Sequence, residues 1–252
     1  LSFTILIFVF GLIAHAEFNK LIKQKGVTSY IVFTFLFVFF SYYSYYFNSL
    51  DISNSFFNEA IQILLAFSIF VLLFAIRDLF VVKDLPEFLT KKYINSIFYI
   101  SSSFIFIFLI GNYNNEFNPN LILGCFILVW VNDTFAYLVG TSIGKQKLFI
   151  NVSPNKTVEG FLGGLLFCTI CSIPISKYLY ELSFTNWLII SIIISVFGTI
   201  GDLVESKYKR KSLVKDSGII MPGHGGLLDR LDSIMFASPF IYLFLIIISD
   251  VS

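Results

Sequence analysis

The sequence predicts an all-α, polytopic integral membrane protein with about eight transmembrane helices, and three observations carry that prediction. Of its 252 residues 57% are hydrophobic and only 13% charged, at a mean hydropathy of +0.84. A soluble chain devotes about 25% of its residues to charge in order to cover its surface. The apolar residues come in runs of roughly twenty, each closed by a short polar patch, which is the length a helix needs to cross ~30 Å of hydrocarbon. The few basic residues, finally, fall on one side once these runs are taken as alternating spans.

In order, the runs cover 1–14, 27–47, 60–76, 94–111, 121–143, 160–180, 186–202 and 233–249. The first opens at Leu1 without an initiator Met and, at about 1.5 Å per residue, is too short to cross, so it reads as a truncated span. A cleaved signal peptide is the alternative, but the segment lacks a basic start and a small-residue cleavage site. The second closes on Tyr42, Tyr43, Tyr45 and Tyr46 and the seventh opens on Trp187, rings that suit the outer membrane interface. Asn-rich 112–120 makes a short outer loop. The chain thus divides into N-terminal helices over 1–111 and a C-terminal region over 112–252 that carries a polar loop at 203–232.

Loop charges test this alternation. Lys20, Lys23 and Lys25 lie in the first loop, Arg77, Lys83, Lys91 and Lys92 in the third, and Lys145, Lys147 and Lys156 in the fifth. Lys207, Lys209, Arg210, Lys211, Lys215 and Arg230 lie in the seventh. Sixteen of the 17 basic residues therefore share one side, and only Lys177 falls opposite, among Asp51, Glu59, Glu116, Glu181 and Asp250. A miscounted span would scramble this split, so the odd-numbered loops face the cytoplasm of a cell (inner) membrane protein. The net charge of +1, with no basic tail, gives no reason to expect a nucleic-acid partner.

Polar groups inside the apolar runs carry the chemistry. Asp133 lies in the middle of the fifth run, where an ionisable group costs at least ~2.5–3.5 kcal/mol and should face a cavity or a partner. Downstream, Ser153-Pro-Asn-Lys-Thr-Val-Glu-Gly160 favours a turn or helix cap that puts Lys156 near the start of the sixth span, a setting suited to phosphate or to simple interfacial capping. Gly140, Gly144, Gly163 and Gly164 equally suit close helix packing. Two tempting motifs fail. Gly140 to Lys145 is one residue short of a Walker A loop and Gln146 stands where a hydroxyl would reach Mg²⁺. Cys168 and Cys171 form a Cys-x-x-Cys inside a span, with only Cys125 besides, so packing explains them.

The stretch from Gly201 to Asp232 interleaves acids, bases and glycines between two spans. Asp229 and Asp232, three apart, share a helical face, and Asp202 ends the seventh run. If these spans adjoin, three carboxylates repel one another at the cytoplasmic rim unless a cation joins them. All-oxygen ligation favours Mg²⁺ or Mn²⁺ over zinc, and Mg²⁺ completes its shell with waters and substrate phosphates. Lys207, Lys209, Arg210, Lys215 and Arg230 beside it suit a polyphosphate. Pro222-Gly-His-Gly-Gly226 offers a backbone that phosphate can approach closely. His224 suits donation to a phosphate oxygen or proton transfer, whereas His15, near Glu17 and Lys20 at an interface, reads as structural.

These residues resemble the CDP-diacylglycerol synthase (phosphatidate cytidylyltransferase) family. The pattern begins at Ser206 and continues through Lys209-Arg210, Lys215-Asp216, Gly218, Pro222, His224-Gly225-Gly226 and Asp229-Arg230-x-Asp232, a span of 27 residues. Tyr208 and Met221 are bulkier than the family's usual choice. Asp133 with Ala136-Tyr137, the Ser153-Pro-x-Lys-Thr turn, Glu159-Gly160, Gly163-Gly164 and Gly201-Asp202 extend the similarity over about 125–240, while the N-terminal half shows only generic spans. The resemblance implies that CTP and phosphatidate yield CDP-diacylglycerol and pyrophosphate with Mg²⁺ required, a second, monovalent cation beside it being an open alternative.

On that basis Asp202 and Asp229 would ligate the metal, with Asp133 as a further ligand and Asp232 shaping the site. Lys215 and Asp216 join Asp202, Asp229 and Asp232 as catalytic residues. Lys156, Ser206, Lys209, Arg210, His224, Gly225, Gly226 and Arg230 would bind substrate. Partners are then CTP, phosphatidate and the bilayer, and a homodimer is compatible with the sequence. Two rivals stand: a CTP-dependent lipid-alcohol kinase, which transfers the γ-phosphate, and a secondary transporter using Asp133 for ion coupling.

Overall fold

The structure, a computed structural model, describes residues 1–50, 55–80, 92–113, 116–218, 220 and 225–251. Helices follow one another as α1 Ser2–Leu21, α2 Thr28–Leu50, α3 Ser55–Phe80, α4 Lys92–Asn95, α5 Ser102–Gly111, α6 Pro119–Ile143, α7 Val158–Leu179, α8 Phe184–Ile193, α9 Thr199–Lys211 and α10 Leu228–Val251. A π-helical turn, Ser96–Ser101, joins α4 to α5, and another, Ile194–Gly198, joins α8 to α9. Two short strands, β1 Lys147–Phe149 and β2 Ser153–Thr157, form the hairpin between α6 and α7. Among the described residues seven helical stretches are long and apolar enough to cross a membrane, and Ser96–Gly111 is a shorter apolar eighth. The all-α, multi-pass architecture expected from the sequence is therefore present.

Two expected boundaries move, for the same reason. α1 continues to Leu21 instead of stopping at 14, and its 20 residues give it about 30 Å, enough to cross where a truncated span was expected. The run His15-Ala-Glu-Phe-Asn19 looks like a loop because polar groups are costly in lipid, but here His15, Glu17 and Asn19 are buried in protein. His15 Nε2 lies 3.0 Å from Ser101 Oγ and Nδ1 lies 3.3 Å from Ser96 Oγ, so the π turn's hydroxyls satisfy both ring nitrogens. His15 is structural, as expected, although it sits in a core and not at an interface. Asn19 Nδ2 donates to Ser29 Oγ at 2.7 Å.

The seventh span likewise runs past 202: Phe184–Lys211 is continuous helix of 28 residues, about 42 Å long. The segment 203–211, expected as loop, is helical because Lys, Arg and Glu are good helix formers once hydropathy no longer guides the reading.

By their internal packing the residues fall into two units, one of Leu1–Phe117 with Tyr208–Leu231 and the other of Asn118–Lys207 with Asp232–Ser252. The polar loop thus groups with the N-terminal helices, along other lines than the division at 111/112. In the first unit every residue of α5 is buried, so its Phe and Ile side chains meet protein where sequence alone suggested lipid. Phe33 packs edge-on to Phe104 and Phe37 to Phe108, and a Cβ at Gly111 would strike the Phe3 ring. A helix apolar on all sides belongs in a core.

In the second unit α6 and α7 approach through glycine. A Cβ on Gly163 would meet Val139 Cβ at 2.6 Å, and one on Gly164 would meet the Asn132 carbonyl oxygen at 2.8 Å. Trp187 is fully buried over Gly124, which leaves no room for the expected role at the interface. Gly164→Val should lower stability by about 1–3 kcal/mol, since the obstructing atom is backbone and cannot step aside. Leu166→Val, on an exposed face of the same helix, should stay within about 0.5 kcal/mol. Thermal unfolding in detergent measures both.

Candidate functional site

The second unit gathers acids around one lysine. α9 lies against α10 at Gly201, where a Cβ would meet Phe236 Cβ at 2.5 Å and the Asp232 carbonyl oxygen at 2.7 Å. One residue on, Asp202 forms an ion pair with Lys156 and accepts a hydrogen bond from Ser206 Oγ at 3.2 Å, one helical turn later. Lys156 comes from β2, next to the start of α7, as the sequence led one to expect. The hairpin pairs Lys147 with Thr157 and Phe149 with Ser153. The Glu159 carboxylate closes it by accepting from the Lys145 amide at 3.0 Å and the Gln146 amide at 3.1 Å. Thr157 Oγ1 then accepts from Gly160 N at 3.1 Å and caps α7, so Lys156 is fixed one residue before the cap.

Asp133 and Asp232 both lie within electrostatic reach of Lys156 and Asp202, and Glu205 adds a further carboxyl beside Asp232. Asp232 is buried and accepts from Ser233 N at 2.7 Å; Glu205 is fully buried; Asp133 is exposed on α6. Asp133, Asp202 and Asp232 thus share the field of the Lys156 ammonium, with Glu205 beside Asp232. Among the described residues no three His, Cys, Asp or Glu side chains close around a metal by themselves. Mg²⁺ does not need them to, since it takes one or two carboxylates and fills its shell with waters and phosphates. The donor set, carboxylate oxygen throughout, fits that ion. Glu205 escaped notice because 203–211 read as loop; as helix, its i+3 spacing from Asp202 places it on a neighbouring face.

The first unit holds the remaining signature residues. Lys209 Nζ pairs with Asp229 Oδ1 at 2.8 Å, both side chains being largely buried. Asp229 also accepts from Ser217 N at 3.0 Å and from Gly226 N at 2.7 Å, so its carboxylate ties both ends of the loop. Gly225 has φ +85°, a left-handed conformation, and a Cβ there would approach Asp229 and Asp216. Glu17, unremarked in the sequence beyond its place beside His15, accepts from Leu227 N at 3.1 Å, Leu228 N at 2.8 Å and Ser217 Oγ at 3.2 Å. Tyr208 packs edge-on to Phe18 at 5.2 Å and parallel to Tyr99 at 6.1 Å, which accounts for its bulk. Arg210, Lys215, Asp216 and Arg230 are exposed. His224, with Met221 and Pro222, lies outside the described residues.

Of the sequence-predicted residues, then, Asp133, Lys156, Asp202, Ser206 and Asp232 come together in one unit. Lys209, Asp216, Gly225, Gly226 and Asp229 come together in the other.

Comparison with known proteins adds the following. Residues 1–248 match the model of the cytidylyltransferase family. The phosphatidate cytidylyltransferase of Staphylococcus aureus (strain COL) is 50% identical over 128 residues, covering 50% of this chain and 48% of that protein. Those of Staphylococcus haemolyticus and Staphylococcus epidermidis are 49% and 50% identical over 127 residues, with the same coverage. The chain therefore spans about half the length of the curated relatives it matches.

Asp229→Ala removes the partner of Lys209 and of two loop amides together and should cost about 3–5 kcal/mol. Lys209→Met leaves the amide bonds in place and should cost clearly less. Denaturant unfolding in detergent ranks the two, and equal losses would contradict this account of Asp229.

Proposed function

The chain belongs to the cytidylyltransferase family, and from that premise we propose that it condenses CTP with phosphatidate to give CDP-diacylglycerol and pyrophosphate. The observation that carries this reading is the Lys156–Asp202 pair set beside Asp133 and Asp232, inside a unit of membrane-crossing helices. The printed names of the staphylococcal relatives support the same substrates. The site lies on the cytoplasmic side of the cell membrane in this proposal, because sixteen of the 17 basic residues collect on that side.

In the reaction a phosphatidate oxygen bonds to the α-phosphorus of CTP, and the bond from that phosphorus to the bridging oxygen breaks, the electron pair leaving with pyrophosphate. A phosphomonoester with a second pKa of about 6 is already mostly ionised at neutral pH, so the chain need not supply a strong base. His224 is assigned to positioning accordingly. Lys156 in the second unit, and separately the exposed Arg210, Lys215 and Arg230 in the first, each suit a charge-assisted hydrogen bond to a phosphate oxygen. Mg²⁺, held by Asp202 and Asp133 with Asp232 adjoining, would supply further positive charge to the triphosphate. Asp229, both of whose oxygens are engaged within the loop, shapes the backbone that carries Gly225 and Gly226.

Purified protein in detergent, given phosphatidate, Mg²⁺ and each nucleoside triphosphate in turn, should release pyrophosphate with CTP alone. Label from the α-phosphate should enter lipid; label from the γ-phosphate entering instead would overturn the reading in favour of a lipid-alcohol kinase. Asp202→Asn should lower turnover by about 100-fold or more. Cys168→Ala should retain it, because that buried thiol hydrogen-bonds to the Leu128 and Ser191 carbonyls and Ser195 and to none of the proposed substrate-binding or metal-binding groups.

A further inference from the structure

We propose that Glu17 is the positioning residue of the signature loop: its carboxylate, carried on α1, holds the Ser217 hydroxyl and the Leu227 and Leu228 amides together, and Gly218 and Gly226 are glycines in order to admit it. Glu17 is only 5% exposed, and three donors converge on its two oxygens, Ser217 Oγ and the amides of Leu227 and Leu228. A site with donors alone calls for a group that only accepts, which a carboxylate does and an amide side chain does not. Leu228 is the first residue of α10, whose opening N–H groups have no partner within their own helix. Glu17 therefore caps α10 from a different helix, and the first turn so fixed carries Asp229 and Arg230.

The glycines supply independent support. Neither Gly218 nor Gly226 has a positive φ, unlike Gly225, so backbone conformation does not require glycine at either position. Space does. The three nearest atoms that a Cβ on Gly218 would meet are Oε1, Cδ and Cγ of Glu17, the first two at overlapping distances and the third in tight contact. A Cβ on Gly226 would collide with Ser217 Oγ and with Glu17 Oε2. Two signature positions are thus shaped around one side chain of the N-terminal half, where the resemblance found only generic spans. The same end of α1 is tied down twice more, by the hydrogen bond from Ser212 Oγ to the Leu21 carbonyl oxygen and by Phe18 against Tyr208.

The consequence for catalysis rests on the cytidylyl-transfer reading, whereas the anchoring itself does not, so the test separates them. Amide hydrogen exchange across 212–218 and 225–231 is measured alongside the KM for CTP and kcat in the full chain. Glu17→Gln should speed exchange at Leu227 and Leu228 by about tenfold or more, leaving α6 and α7 unchanged. It should raise the KM for CTP by about tenfold with a smaller change in kcat.

Gly218→Ala should act likewise in the natural background yet add nothing to Glu17→Ala, where the colliding atoms are gone. Unchanged exchange in Glu17→Gln, or a Gly218→Ala effect that persists in full without Glu17, would overturn the proposal. If Glu17→Gln fails to insert, the Gly218→Ala cycle read by exchange alone decides it. Absence of cytidylyl transfer by the unsubstituted protein would count against the function and leave the anchoring result standing.

Discussion

A carboxylate taken out of bulk water must be given hydrogen-bond donors or a counter-charge, and that demand decides which segments of this chain are brought together. Even at the exposed hairpin that presents Lys156, Glu159 accepts from two amides. Lys156 in turn answers Asp202 on α9. Asp229 collects Lys209, Ser217 and Gly226, and Glu17 collects Ser217, Leu227 and Leu228. Asp202 and Glu17 in this way join stretches far apart in sequence. Apolar contact then fills the space between helices whose relative placement the acids within each unit already constrain.

Glycine is the geometric counterpart of this rule. Backbone groups and carboxylates can meet only where side chains do not intervene, so glycine recurs at the points of closest approach. Gly201 lets α9 lie on the α10 backbone next to Asp202, Gly164 lets α7 lie on the α6 backbone at Asn132, and Gly226 leaves space for the Glu17 carboxylate. Of these and Gly225, only Gly225, with φ +85°, also needs glycine for its dihedral angle. Glycine here marks packed space, Gly225 included, where a Cβ would meet Asp229.

The helical spans and the signature loop were legible in the sequence because both write their physics locally. Runs of Phe, Ile and Leu exclude water whatever lies next to them, and the alternation of basic loops depends only on counting. Boundaries at polar residues were less legible. His15, Glu17 and Asn19 looked like the end of a span, and Asp202 to Lys211 looked like loop, since in each case hydropathy cannot tell a polar group facing solvent from one satisfied inside protein. Trp187 misled in the same way: an indole suits an interface, but the space over Gly124 received it instead.

By itself the sequence determined that the chain is a multi-pass helical protein, that its basic residues collect in alternate loops, and that acids, bases and glycines of one signature cluster between Ser206 and Asp232. Only the tertiary structure decided which acid answers which base: Lys156 with Asp202, Lys209 with Asp229, and Glu17 with the amides that open α10. The reason is range. Hydrophobic and positive-inside preferences act on each residue against its solvent and survive without a fold, whereas a buried carboxylate selects partners within about 3 Å, and that selection exists only once distant segments have met.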